Sequence, residues 1–283
     1  MKNKSIHITK ASGEQVPFNS DKLRHSLHRS GANNEIIHEI ISEVQNKLYE
    51  GITTRKIYQL AFGMLKKQSR HSAAKYKLKR AIMELGPSGF PFEKFVAAIL
   101  NHQGYAVKVG EIVKGQCVNH EIDVIAEKEN QHFMIECKFH NSGGYMCDVK
   151  IPLYIHARFK DVEHQWKNIP GHGTKFHQGW VVTNTKFSGD AIQYGMCAGL
   201  NLLGWDFPHI KSLREQIDDS GLYPLTCLTT LTLHEKQLLL DKGIVLCKEL
   251  CDNPELLSAT YIPAERRNGI LNEAHILCKG VHA

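Results

Sequence analysis

The stretch from Glu121 to Lys138, E-I-D-V-I-A-E-K-E-N-Q-H-F-M-I-E-C-K, holds the residues best suited to chemistry. Its apolar positions alternate, which predicts two short strands around a polar turn centred between Glu129 and Asn130. On the first strand Ile122, Val124 and Ala126 share one face, and Glu121, Asp123 and Ile125 the other. On the second, Phe133, Ile135 and Cys137 share a face, opposite Met134, Glu136, Lys138 and then His140. This register sets Asp123 across from Glu136 and Glu121 across from Lys138. Opposed Cβ atoms lie about 5 Å apart, and two carboxylates that close repel unless a cation joins them. Mg²⁺, or Mn²⁺ in its place, is the natural cation, because a hard ion takes oxygen ligands and keeps several waters. A lysine beside it can orient or deprotonate a water and stabilise charge building on a phosphate. Glu121 either holds Lys138 by a cross-strand ion pair or joins the metal shell. The alternative is an exposed strand face carrying ordinary ion pairs.

Positioning such a set takes elements on both sides. Gly86-Pro87-Ser88-Gly89 reads as a linker. Phe92, Phe95, Val96, Ile99 and Leu100 then recur at helical spacing, with Glu93 near the helix start, where a carboxylate suits the dipole. Tyr105 to Val109 and Ile112 to Val113 read as a first strand, Ile151 to Trp166 as a helix, Gly179 to Thr183 as a buried strand, Ser188 or Asp190 as the start of another helix, and Leu202 to Trp205 as a last short strand. Alternating helix and strand argues a mixed α/β layer structure. Arg158, Lys160, His164 and Gln165 are available there for backbone phosphates. His140, two residues past Lys138, is a weaker candidate for a phosphate or water contact.

The residues Asp123, Glu136 and Lys138 resemble the Asp…Glu-x-Lys core of the restriction-endonuclease-like nucleases, particularly the Mrr-like branch, over roughly 90–207. That resemblance implies an α/β/α domain with a mixed sheet, a further acid at Glu93, hydrolysis of double-stranded DNA, and a role in defence against foreign DNA.

Charge is uneven along the chain. Residues 1–90 carry 16 Lys+Arg against 7 Asp+Glu, although the whole chain is only +6. A basic excess favours a phosphate-bearing partner. Ile6 to Lys10 and Gln15 to Phe18 read as strands around Ala11-Ser12-Gly13. Asn19 or Ser20, Asn33 or Asn34, and Thr53 are the expected caps of three helices, and a fourth follows Ser72 to Gly86. From Lys66 to Arg80 seven cations occur with no acid, an unfavourable surface that a bound polyphosphate relieves. The runs K-A-S-G-E-Q-V-P-F-N-S-D-K-L, G-I-T-T-R-K-I and A-A-K-Y-K-L-K-R-A resemble the ATP-cone, the nucleotide-sensing domain of ribonucleotide reductases and their repressors. This implies ATP or dATP as effector, with Lys10, Phe18, Asn19, Lys22, Thr54, Lys79 and Arg80 at its site, and control through a homo-oligomer. Ala11 stands where that family usually has arginine.

The last segment resembles helix-hairpin-helix modules, with Leu231 to Asp241 and Val245 to Leu250 flanking Lys242-Gly243-Ile244. Arg266 and Arg267 are its obvious phosphate contacts; a packing or assembly role is the alternative. Three segments are therefore expected: an ATP-cone at 1–88, a nuclease domain at 89–209 and a small all-α tail at 210–283. The composition is that of an ordinary soluble protein, 42% hydrophobic and 23% charged. No run of 18 apolar residues predicts a membrane span, and the start lacks a secretory h-region. The eight scattered cysteines form no C-x2-C pair and suit a reduced, cytoplasmic protein. The expected activity is a nucleotide-regulated, metal-dependent DNA endonuclease. Its rivals are a DNA-binding regulator without catalysis and a nuclease acting on RNA.

Overall fold

The first elements of the computed structural model, which describes residues 6–167 and 176–279, follow from where capping side chains fall. They are strands β1 (His7–Thr9) and β2 (Gln15–Pro17), helices α1 (Ser20–Arg29) and α2 (Asn34–Asn46), strand β3 (Ile52–Thr53), and helices α3 (Thr54–Gln68), α4 (Arg70–Tyr76) and α5 (Leu78–Met83). Asn19 Oδ1 accepts the Asp21 and Lys22 N–H groups at 2.8 and 3.1 Å. Asn33 does the same for Ile36, and Thr53 for Lys56. Each bond satisfies a donor that a helix start leaves open. The expected fourth helix departs from its reading. Ser69, not Ser72, caps it, and the chain breaks at Lys77 into α4 and α5. β1 lies between β2, antiparallel, and β3, parallel. Leu27, Ile40, Val44, Ala61, Leu65 and Ala73 are among the buried residues that join the helices into one core.

Next come α6 (Phe90–His102), β4 (Ala106–Lys114), β5 (Asn119–Lys128), β6 (Gln131–Lys138), β7 (Met146–Cys147), α7 (Lys150–Lys167), β8 (Phe176–Thr183), β9 (Lys186–Phe187), α8 (Gly189–Cys197), β10 (Asn201–Leu203) and α9 (Leu213–Ser220). The main sheet has the order β10-β8-β6-β5-β4. β4, β5 and β6 are antiparallel, whereas β6, β8 and β10 are parallel. Successive β6 side chains alternate between faces. Phe139, just past β6, meets Phe92 of α6, while Met134 packs with Phe159 and Val162 of α7. The two helices therefore cover opposite faces. β6 is a central strand buried on both sides from His132 to Cys137, not a strand with one exposed charged face.

The chain ends in α10 (Leu233–Asp241), α11 (Cys247–Asp252) and α12 (Ala264–Lys279). It divides into two compact units. One comprises Met1–Ile82, Tyr223–Leu239 and Cys247–Ala283; the other comprises Met83–Leu222 and Leu240–Leu246. In the first unit, helix α5 and the segment after Tyr223 are stitched together. Lys77 Nζ donates to the Thr226 carbonyl at 2.8 Å, and Thr226 Oγ1 donates to the Ala81 carbonyl at 2.7 Å. Lys75 Nζ lies 5.7 Å from the centre of the Tyr223 ring. Two cations of the acid-free run thus serve internal packing. Arg266 and Arg267 do likewise: Arg266 bonds Glu235 and the Thr230 carbonyl, and Arg267 bonds the Ile262 carbonyl and Ser258 Oγ. Their guanidinium groups are held within the unit instead of being offered to phosphate. Among the described residues, no helix is long and apolar enough to cross a membrane.

Candidate active site

The hairpin turns where the sequence pattern places it. Glu129 and Asn130 both have positive φ, 51° and 64°, as a two-residue type I′ turn requires. Val124 pairs with Ile135 and Lys128 with Gln131, the register that sets Asp123 against Glu136. The ladder stops one step before that pair. On the other side of β5, Gly110 stands opposite Asp123 and is absent from an otherwise continuous ladder. Its φ is +70°, a conformation that costs glycine little. Neither ladder includes Asp123, and its carboxylate bonds the β6 backbone instead. Its Oδ2 accepts the Cys137 N–H at 2.7 Å.

Glu136 is buried and both of its oxygens meet cations. Oε2 accepts from Arg158 Nη1 at 2.6 Å, and Oε1 lies 3.5 Å from Lys138 Nζ. Lys138 thus pairs with its own strand neighbour and not across to Glu121, because the pairing of β5 with β6 ends before Glu121 is reached. Glu121 is exposed, and its carbonyl takes the second Arg158 nitrogen. Glu93, in the first turn of α6, is half-buried.

The neighbouring acids act on Glu93 and Asp123. Burial, then the charges of Asp123, Glu121 and Glu136, push the Glu93 carboxyl up to about 7. Burial, then Glu136, push Asp123 up to about 6, against the Cys137 N–H, Arg158 and Lys138. Such a set of hard oxygen donors under mutual repulsion suits a divalent cation such as Mg²⁺ in charge and ligand type. In this arrangement, no three His, Cys, Asp or Glu side chains among the described residues converge closely enough to ligate one ion. Asp123 and Glu136 are the residues that would hold it. His140 is committed elsewhere: its N–H and carbonyl bond the Asn184 side chain, and its ring bonds Thr185. His120 bonds Asp161 at 2.7 Å, which holds that carboxyl below its usual range.

Around β1 the expected nucleotide residues fall into groups. Lys10 follows β1 and pairs with Glu14 at 2.9 Å; Thr54 opens α3 beside it, since Thr9 aligns with Thr53. Phe18 and Asn19 lie by the other end of β1, where the Phe18 N–H donates to the Ile6 carbonyl. Three strand residues at about 3.3 Å each separate the two groups by roughly 10 Å. Lys22 is exposed one turn into α1, and Lys79 and Arg80 are exposed on α5. A shallow groove of about 890 Å³ between α2 and α3, lined by Glu35, Glu39 and Glu43 among others, contains none of these residues.

A mixed sheet with an Asp and a Glu-x-Lys at a hairpin, flanked by helices on both faces, defines a nuclease domain of the restriction-endonuclease class. Residues 86–212 match the family model described as restriction endonuclease, of Mrr type, residues 6–83 match the ATP cone domain, and residues 223–278 match "AF1548-like, C-terminal". An uncharacterized protein of Archaeoglobus fulgidus is 37% identical over 183 residues, which are 63% of this chain and 97% of that one. The crystal structure of AF1548, a protein of unknown function, is 34% identical with a TM-score of 0.56, covering 68% of this chain and all of that one. The chain belongs to the AF1548-like family, and it joins an ATP-cone to the nuclease domain and the AF1548-like C-terminal segment.

Arg158, which its sequence context offers to a backbone phosphate, is held by Glu136 instead. The available signal was parity. Met134 and Glu136 share a face, so an apolar partner for Met134 buries Glu136 too, and a buried carboxylate requires a cation.

Proposed function

We propose that this protein is a nucleotide-regulated endonuclease that hydrolyses phosphodiester bonds of double-stranded DNA with Mg²⁺ or Mn²⁺, in defence against foreign DNA in the cytoplasm. The observation that carries the reading is the meeting of Asp123, Glu136 and Lys138 where the ladder between β5 and β6 ends, with Glu121 close enough to raise the proton affinity of Glu93. The metal, when bound, supplies Lewis acidity toward the phosphate. Asp123 and Glu136 would hold it, and Glu93 would reach it through water. Lys138 is more exposed than Glu136, with 35% of its side chain open to solvent. Its ammonium is placed to orient the attacking water and to offset charge on the phosphate oxygens.

The ATP-cone supplies regulation. Lys10 and Thr54 at one end of β1, and Phe18, Asn19 and Lys22 at the other, are spaced for the two ends of an adenine nucleotide, with Lys79 and Arg80 completing the phosphate contacts. Nucleotide then shifts the population of a homo-oligomer between active and inactive states, which requires it to bind one state better. The experiment is nicking of supercoiled plasmid with Mg²⁺, with and without ATP or dATP, by wild type and Lys138→Ala. Wild type is expected to nick and Lys138→Ala to lose about 100-fold or more in rate. Cutting by Lys138→Ala at the wild-type rate removes that residue from the mechanism. Binding without nicking under every nucleotide favours a DNA-binding regulator, a reading consistent with both Glu136 oxygens being engaged. Faster cleavage of RNA than of duplex DNA reassigns the substrate.

A further inference from the structure

Glu136 already has a resident cation. Arg158 Nη1 sits 2.6 Å from Oε2, its Nη2 bonds the Glu121 carbonyl, and its guanidinium lies 5.4 Å from the centre of the Tyr154 ring, one helical turn back on α7. Arg158 is also the better shielded of the two cations at Glu136, with 12% of its side chain exposed against 35% for Lys138. A guanidinium bonded to Oε2 repels a divalent charge brought to the same carboxylate.

Leaving that oxygen does not strip Arg158 of partners. Its planar fork carries five donors, so the bond to the Glu121 carbonyl and the stacking on Tyr154 persist after Nη1 moves away. The other cation, Lys138, faces Oε1 from 3.5 Å. Without Arg158, Glu136 is a buried carboxylate among three other acids with only the Lys138 ammonium, 3.5 Å away, for relief.

Building on the proposed role of Glu136 as a metal ligand, we infer that Arg158 is a built-in placeholder cation: it occupies Glu136 Oε2 while the metal is absent and must swing off it for the metal to bind. Arg158 is a positioning residue that acts through Glu136, and it weakens metal affinity as the cost of keeping the empty site intact.

The test measures Mn²⁺ binding by calorimetry with no DNA present, in wild type, Arg158→Gln, Arg158→Lys and Asp123→Asn. Arg158→Gln is expected to bind Mn²⁺ about tenfold more tightly, which is about 1.4 kcal/mol, and Arg158→Lys to stay close to wild type because the charge is kept. Loss of binding in Asp123→Asn with unchanged or weaker binding in Arg158→Gln overturns the placeholder while leaving the metal-ligand reading standing. Binding by Asp123→Asn equal to wild type overturns both. A measurement on the wild type does not depend on whether Arg158→Gln folds. The guanidinium ¹⁵N resonances of Arg158 are expected to shift on titration with Mg²⁺, and signals that stay fixed while Mg²⁺ binds overturn the inference.

Discussion

Asp123→Asn is expected to stabilise the metal-free nuclease unit at high pH while abolishing cleavage. The Asp123 carboxyl is raised from 3.8 to about 6, by burial first and by Glu136 second. An acid with a raised value binds more protons folded than unfolded, so stability falls as pH rises through the interval between the two values. The penalty is absent below about pH 4, grows toward pH 6 and is complete above it. A shift of about two units caps it at ~3 kcal/mol, and partial exposure with solvent screening reduces that to ~1–2 kcal/mol. Asparagine keeps an acceptor for the Cys137 N–H that Oδ2 now bonds at 2.7 Å, so the substitution removes the charge and little else. Urea unfolding in EDTA measures it. All three tryptophans, Trp166, Trp180 and Trp205, lie in the nuclease unit, so their fluorescence reports that unit alone. The variant is expected to gain ~1–2 kcal/mol over wild type at pH 8, with the gain shrinking toward pH 5. Equal stability at pH 8, or an undiminished gain at pH 5, refutes the idea that burial and the neighbouring Glu136 make the Asp123 charge costly.

Two further substitutions probe the surroundings. A Cβ on Gly86 falls 2.6 Å from Phe139 Cε1, so Gly86→Ala displaces the ring next to Lys138. It is expected to cost about 1–3 kcal/mol by tryptophan-detected unfolding and to slow cleavage; wild-type stability would show that the ring moves freely. Asn19→Ala removes two capping bonds and is expected to cost about 1 kcal/mol. Asn19→Ser restores the cap but not ATP affinity by calorimetry if the amide contacts nucleotide, so full recovery of affinity reduces Asn19 to a cap.

The hairpin was legible because its information is local. Apolar alternation fixes which residues face together, and a two-residue polar turn fixes the register, so Asp123 and Glu136 were placed within one step of where they lie. The contacts around them were less legible, because they depend on elements distant in sequence. Arg158 reaches Glu136 from 22 residues away, and nothing in the helical period of α7 states which strand it will face. The expected pair of Glu121 with Lys138 failed for another reason. It assumed regular pairing past Asp123, whereas the ladder between β5 and β6 ends at Val124 and Ile135.

Charge counting failed in a related way at the other end of the argument. An acid-free run of cations looks like an unsatisfied surface only while its neighbours are assumed to be water. Lys75 and Lys77 instead meet an aromatic face and a carbonyl of the segment after Tyr223, and Lys236 adds a second ammonium to that same Thr226 carbonyl at 2.9 Å. Carbonyl oxygens and ring faces carry no formal charge, so no count of Asp and Glu reveals them as partners for lysine. The buried Glu273 shows the converse, an acid satisfied wholly by neutral donors: the N–H and hydroxyl groups of Thr229 and Thr230. In a unit built this way, net charge is a poor guide to ligand sites. The stronger argument for a nucleotide is positional, from side chains gathered at the two ends of β1.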